Sequence, residues 1–257
     1  MISELFISLV FIVVGTSLLY FGAEWIVKSG VHIASQFKIP HFVVGLTIVA
    51  FGTSLPELVV SLKATLDGYS GIAIGNVVGS NIANIGLVLG ISSIIFPIFI
   101  QFKVIKREIG IYLIVCLVFV LFILNQQISQ IEGLILFMGI IGYTILCIKK
   151  PSVDPVEMDD PLHSTIGTWL LLILGILLLY FGSKLFVIGA IDLAHYFHVN
   201  EVVIGMTVVA FGTSLPEFAT CIVAALRKES AISIGNIIGS NLFNILSVIG
   251  LVALVKP

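Results

Sequence analysis

Charge is what this chain has least of. Only 10% of its 257 residues are Asp, Glu, Lys or Arg, against 59% hydrophobic, and the mean hydropathy is +1.22. A soluble domain carries about 25% charged residues, so here lipid must cover most of the surface, and the chain reads as an integral membrane protein. The net charge of −2 and the absence of any basic run exclude a nucleic-acid partner. Three cysteines, Cys116, Cys147 and Cys221, are scattered through apolar stretches; they form no disulfide framework or thiolate metal site and are read as small buried hydrophobes. There is no HExxH, no Ser-His pair at membrane depth and no nucleotide-binding loop, so neither an enzyme nor a bound cofactor is expected. The N-terminus, MISELFISLVF, has Glu4 where a secretory signal would have Lys or Arg, and is expected to be an uncleaved first span.

Long apolar runs are what remain. A spanning helix takes about 20 residues, and eight segments qualify: 4–27, 41–62, 71–97, 108–125, 131–148, 166–188, 201–225 and 231–255. The only linker-like stretch is 149–163, KKPSVDPVEMDDPLH, with three prolines and four acids. It falls where the sequence begins to repeat. A shift of 160 positions sets TIVAFGTSLPE (47–57) on TVVAFGTSLPE (207–217) and IGNVVGSNIAN (74–84) on IGNIIGSNLFN (234–244) without a gap. Five spans precede the second copy, so it enters the membrane from the opposite side, an inverted repeat of the kind that builds secondary transporters around a midplane site. The expected organisation is an all-α membrane protein with a first repeat over 1–148, a linker over 149–163 and a second repeat of three spans over 164–257. Nine of the twelve Lys and Arg fall on the linker's side of the membrane. Positive-inside counting therefore puts 149–163 in the cytoplasm and the N-terminus outside the cell membrane.

The repeated motif poses a chemical problem. Pro56 has no N–H and its ring opposes the carbonyl four residues back, so a bend is expected near Ala50 to Thr53, and Pro216 predicts the same in the second copy. Straight after each proline stands an acid, Glu57 or Glu217, with no Lys or Arg within four residues. A charge at a helix centre costs roughly 2.5–3.5 kcal/mol on insertion scales. Two carboxylates brought together need a cation or a proton between them. Calcium takes about 6–8 oxygens in flexible geometry, whereas magnesium sheds water reluctantly; the donor set favours Ca²⁺, with Na⁺ a competitor for the same oxygens. Asn76, Ser80 and Asn84 stand four apart on one helical face, and Asn236, Ser240 and Asn244 repeat that stripe. Gly75 with Gly79, and Gly235 with Gly239, form GxxxG pairs that admit a close neighbour. Glu24 lies four residues before Lys28 and reads as a local ion pair; Glu108 and Asp192 read as interfacial, and the five histidines as surface residues.

GLTIVAFGTSLPE with GNVVGSNIAN, and the copies GMTVVAFGTSLPE with GNIIGSNLFN, resemble the two α-repeats of the sodium/calcium exchanger family within the cation/calcium antiporter superfamily. The resemblance implies that Glu57 and Glu217 are the central ligands, that Ala50, Thr53, Ala210 and Thr213 offer mainly backbone carbonyls, and that Ser54, Ser214, Ser80, Ser240, Asn84 and Asn244 complete the ion sites. It further implies exchange of Na⁺ for Ca²⁺ by alternating access, with the first and sixth spans sliding over the rest through Gly15, Gly22, Gly175 and Gly182. Two departures stand out. Amides at 84 and 244 argue against potassium coupling. The family's architecture is five spans plus five, and the counterpart of 97–149 would run from 257 to 309, so the expectation is a naturally short or truncated form, or one in which self-association supplies the missing wall. A Ca²⁺/H⁺ exchanger and, further off, a passive cation channel remain open as alternatives.

Overall fold

The computed structural model describes residues 2–98, 100–151, 165–200, 208 and 210–257. Every regular element among them is helical: α1 (Ile2–Phe37), α2 (His41–Thr53), α3 (Leu55–Leu66), α4 (Ser70–Ile95), α5 (Phe102–Ile123), α6 (Gln130–Lys149), α7 (Thr165–Tyr196), α8 (Ala210–Gly212), α9 (Leu215–Leu226) and α10 (Ser230–Val255). Helices α1, α4, α6, α7 and α10 are long and apolar enough to cross a bilayer, and α2 with α3 makes a sixth path bent by 43°. Helix α5 is apolar beyond Glu108, but its first turns carry Lys103, Lys106 and Arg107. Helix α9 is short and apolar; residues 201–207 and 209 of the span expected to lead into it lie outside the described residues, as do 152–163 of the expected linker and residue 164. The chain is a multi-span helical membrane protein.

Helices α1 and α7 run on past their expected ends at 27 and 188, to Phe37 and Tyr196. A polar extension beyond the apolar core costs a helix nothing where Lys28 can snorkel to water. Both helices stop in the same way. Lys38 and His198 adopt positive φ of 53° and 57°, and the next amides, of Ile39 and Val199, reach back to Ala34 O at 2.9 Å and Ala194 O at 3.0 Å, a Schellman closure. Gly68 and Lys228 close α3 and α9 equally, through Tyr69 N to Ala64 O and Glu229 N to Ala224 O, each 2.8 Å. These caps stand 160 positions apart, so the repeat in the sequence is also a repeat in local backbone geometry.

The break at the first proline falls later than expected. Ser54, at φ −88° and ψ 7°, separates α2 from α3, and Pro56 sits in the first turn of α3. Proline is tolerated there because its missing N–H would have no helical partner; the chain ends one helix and starts another instead of kinking a single one. Ser214, at φ −85° and ψ 5°, and Pro216 repeat this before α9. Wider π-helical turns occur at Gly45–Val49, Asn84–Leu89 and Asn244–Ile249. Such single turns mark functional positions more often than chance.

Helices α1 and α7 cross at backbone distance. A Cβ built on Gly15 would lie 2.6 Å from Phe186 N and 2.8 Å from Gly182 O, and one on Gly22 would lie 2.8 Å from Gly175 O. The glycines are therefore required for the crossing itself. Helix α10 is seated against α2 in the same manner, with Gly239 2.4 Å from Leu46 O by the same construction. The α4 counterparts, Gly75 and Gly79, meet no described atom within 4 Å; the matching stretch, 202–206, is outside the described residues.

The two repeated helices differ sharply in cover. In its most apolar window α10 is 83% buried, gripped by α6 where Gly133 meets Gly250, whereas α4 is 28% buried and a Cβ on Gly90 would meet no described atom within 4 Å. The main core cluster, including Phe42, Leu46, Leu136, Leu242, Leu246 and Ile249, accordingly surrounds α10.

Glu108 is fully buried within the protein: its sequence neighbour Arg107 holds its Oε1 through Nε at 3.0 Å and Nη2 at 2.6 Å, and also bonds the Lys150 carbonyl. One expectation about polar groups needs correction: His41 is buried rather than at the surface, with Nδ1 2.8 Å from Glu229 Oε2. That partner comes from a distant part of the chain, which local sequence could not reveal.

Candidate functional site

The broken helices and the polar stripes meet at the centre of the fold. Ser54 and Ser214 occupy the two breaks, and Glu57 and Glu217 follow within the first turns of α3 and α9. The stripes come from α4 and α10, which carry Ser80 and Ser240 and open their π turns at Asn84 and Asn244. Ala50, Thr53, Ser54, Glu57, Ser80, Asn84, Ser214, Glu217, Ser240 and Asn244 are all buried, and Thr213 is half-buried. Ala210 opens α8, and its side chain is outside the described residues.

Hydrogen bonds cross between the copies in reciprocal pairs. Thr53 Oγ1 donates to Asn236 Oδ1 at 3.0 Å and lies 3.3 Å from Ser240 Oγ; Thr213 Oγ1 donates to Asn76 Oδ1 at 3.3 Å and lies 3.4 Å from Ser80 Oγ. Asn76 Nδ2 donates to the Glu57 carbonyl at 3.3 Å and to Ser61 Oγ at 3.0 Å, while Asn236 Nδ2 reaches Cys221 Sγ at 3.5 Å. The threonines thus act through their hydroxyls as donors, a role the backbone-carbonyl expectation leaves out. Asn76 and Asn236, named in the stripes but not among the expected ligands, are bound at both ends of their amides.

The carboxylates are treated differently. Ser54 Oγ donates to Glu217 Oε1 at 2.8 Å. Neither Glu57 oxygen, nor Ser214 Oγ, the counterpart of Ser54, has a partner at hydrogen-bonding geometry among the described residues, although Ser80 and Ser214 stand near enough to act on Glu57 electrostatically. The two acids are close enough to interact electrostatically, and among the described residues neither forms an ion pair. Among the described residues, six of the twelve buried side-chain atoms without a hydrogen-bond partner belong to the expected set: both Glu57 oxygens, Glu217 Oε2, Asn84 Oδ1, Asn244 Oδ1 and Ser214 Oγ. All six are oxygens. Leaving one buried polar atom unpaired costs about 1–3 kcal/mol, and more when it is charged; a cation or a proton among these oxygens would offset that cost. Among the described residues no three His, Cys, Asp or Glu come together; the donors are two carboxylates supplemented by neutral oxygens, suited to hard cations rather than to zinc.

This arrangement has known parallels. The family profile described as sodium/calcium exchanger protein matches residues 7–149 and 167–257. The chain belongs to that family. As an exchanger of the cation/calcium antiporter superfamily it is 37% identical over 260 residues to the putative antiporter CaxA of Alkalimonas amylolytica, covering 98% of this chain and 82% of that one. It is 31% identical to the sodium/calcium exchanger MaX1 of Methanosarcina acetivorans, covering 98% of this exchanger and 84% of the other. The solved structure of the sodium/calcium exchanger from Methanococcus jannaschii superposes with a TM-score of 0.85 at 37% identity, over 97% of this chain and 82% of that one. The exchanger is therefore a membrane antiporter for cations including calcium and not an enzyme.

Asn81 and Asn241, not among the expected ligands, lie one residue beside each stripe. Asn84 Nδ2 donates to Asn241 Oδ1 at 3.0 Å and Asn244 Nδ2 to Asn81 Oδ1 at 3.1 Å. A signal was present: both copies of GSNxxN keep this asparagine.

Proposed function

We propose that the chain exchanges Na⁺ for Ca²⁺ across the cell membrane by alternating access, with Ca²⁺ extrusion driven by the Na⁺ gradient. One observation carries the reading: two buried carboxylates without an ion pair, surrounded by unpartnered oxygens. Glu57 and Glu217 are the central ligands. Ser54, Ser214, Ser80, Ser240, Asn84 and Asn244 supply side-chain oxygens, and Ala50, Thr53, Ala210 and Thr213 supply carbonyls or orient their neighbours. The membrane arrangement that goes with this reading is eight spans in an inverted repeat, five over 1–148 and three over 164–257. The N-terminus is outside and 149–163 is in the cytoplasm. The reciprocal bonds between copies and the caps recurring at 160 positions support such a repeat. That the Methanococcus jannaschii exchanger was soaked with Na⁺ and with Sr²⁺ or Ca²⁺ supports the choice of ions.

The test is flux. The full chain is reconstituted into Na⁺-loaded liposomes and Ca²⁺ uptake is followed on dilution into Na⁺-free buffer. Uptake that requires internal Na⁺, and that is lost in Glu57→Gln and in Glu217→Gln, is the expected result. Uptake that follows a pH gradient without Na⁺ would make the chain a Ca²⁺/H⁺ exchanger, and Ca²⁺ entry with no counter-ion dependence would make it a channel.

A further inference from the structure

Asn84 and Asn244 can serve a cation only with one end of their amides. The carbonyl oxygen is a ligand for a hard cation, while the NH₂ group is a double donor that repels it. Both side chains are fully buried, so bulk water cannot compensate for an amide facing the wrong way. We propose that Asn81 and Asn241 are positioning residues that fix this choice, each gripping the NH₂ group of the ligand asparagine in the opposite repeat so that its oxygen is turned to the transported ion.

The bonds run crosswise. Asn84 Nδ2 donates to Asn241 Oδ1 at 3.0 Å, Asn244 Nδ2 donates to Asn81 Oδ1 at 3.1 Å, and Asn81 Nδ2 donates to the Asn241 carbonyl at 3.2 Å. With the nitrogens so engaged, Asn84 Oδ1 and Asn244 Oδ1 are left buried and without a hydrogen-bond partner among the described residues. Asn76 shows the contrast: its nitrogen is bound to the Glu57 carbonyl and Ser61, but its oxygen is already taken by Thr213. Asn81 stands three residues before Asn84 on α4, yet it serves Asn244 of α10 and not its own neighbour. Each half of the site is therefore correctly oriented only while the two helices remain in contact. Groups that orient metal ligands typically matter about 10–100-fold in affinity when removed.

The inference rests on the exchange reading for the identity of the site, and its test is Ca²⁺ binding rather than flux. Radiolabelled Ca²⁺ binding is measured on the purified full chain in detergent for wild type, Asn241→Leu, Asn84→Asp and the double variant. Leucine matches asparagine in size but cannot accept the bond. Asn241→Leu is expected to weaken binding by about 10-fold. In the Asn84→Asp background a carboxylate offers an oxygen in either orientation, so the same loss should change affinity less than about twofold. Equal losses in the two backgrounds would mean a merely structural asparagine and overturn the proposal. Should Asn241→Leu not fold, Asn241→Asp, which retains the acceptor, is expected to bind at least as well as wild type within about twofold, and a 10-fold loss there would also overturn it. Ca²⁺ binding with the expected pattern but without Na⁺-driven flux would overturn the exchange reading and leave the positioning role standing. Na⁺-driven flux with equal losses would do the reverse, and a wild-type chain that binds no Ca²⁺ would overturn both.

Discussion

Ser54 donates to Glu217 at 2.8 Å across the interface between the repeats, and the equivalent bond from Ser214 to Glu57 is not made. Two copies of AFGTSLPE thus hold their acids unequally. A hydrogen bond to a charged group is worth about 1.5–3 kcal/mol, whereas removing a buried hydroxyl that has no partner relieves a desolvation cost of about 1–3 kcal/mol. Ser54→Ala is therefore expected to lower the Tm of the ion-free protein, and Ser214→Ala to leave it unchanged or raise it. Thermal unfolding in detergent with a chelator present checks the order. Equal effects would mean that the inequality between the acids has no energetic weight.

Ca²⁺ should stabilise the fold through the same oxygens. A ligand at 100 times its Kd adds about 2.7 kcal/mol to the folded state. The expected outcome is a rise in Tm on adding Ca²⁺ that a chelator reverses. Glu57→Gln and Glu217→Gln should each abolish the rise, since one carboxylate then faces a divalent ion alone. A Ca²⁺-dependent rise that survives both substitutions would place calcium elsewhere.

The α1 and α7 crossing predicts a contrast among glycines. A Cβ on Gly15 meets the backbone of Phe186 at 2.6 Å, where only movement of a whole helix could relieve it, whereas one on Gly90 has nothing described within 4 Å. Gly15→Val should separate the helices and lower the monodisperse fraction in size-exclusion chromatography; Gly90→Val should be tolerated. Overpacking of this kind costs typically about 1–3 kcal/mol. A well-behaved Gly15→Val protein would show that the crossing is looser than its geometry implies.

Glu24 is buried and shared between Lys28, at 2.9 Å, and Arg227 at the end of α9. Removing one partner of a fully buried pair costs about 3–5 kcal/mol, but Arg227 is 46% exposed and Lys28 remains, so roughly 1–2 kcal/mol is the appropriate scale for Arg227→Gln. Glu24→Gln combined with Arg227→Gln should recover most of the loss, because no uncompensated charge is then buried. Tm values of the two single variants and the double variant measure this directly; strict additivity would show the pair to be uncoupled.

Much of the site was legible before any helix was placed. Pro56 and Pro216 announced the interruptions, and the isolation of Glu57 and Glu217 from any nearby Lys or Arg announced acids with no local counter-charge, because both arguments depend only on residues within a turn or two. The location of the break at Ser54 was not legible, since a proline within the first turn of a new helix and one that bends an existing helix look the same in sequence. Nor could the roles of Asn76 and Asn81 be separated. Both sit in one repeated motif, and only the neighbouring helices decide what each amide oxygen meets: the Thr213 hydroxyl for Asn76 and the Asn244 amide for Asn81.

Hydropathy and the duplicated motifs, read along the chain, determined that this is a helical membrane protein of the exchanger family with two central acids. Those are properties of composition and of order along the chain. Tertiary structure decided that Ser54 serves Glu217, that Asn84 and Asn241 join across the repeats, that Glu24 is held by Arg227 and that His41 is buried against Glu229. These pairs lie more than 150 positions apart, and what brings them together is which helix faces meet, a choice made by close backbone crossings such as Gly15 on Gly182 and Gly239 on Leu46.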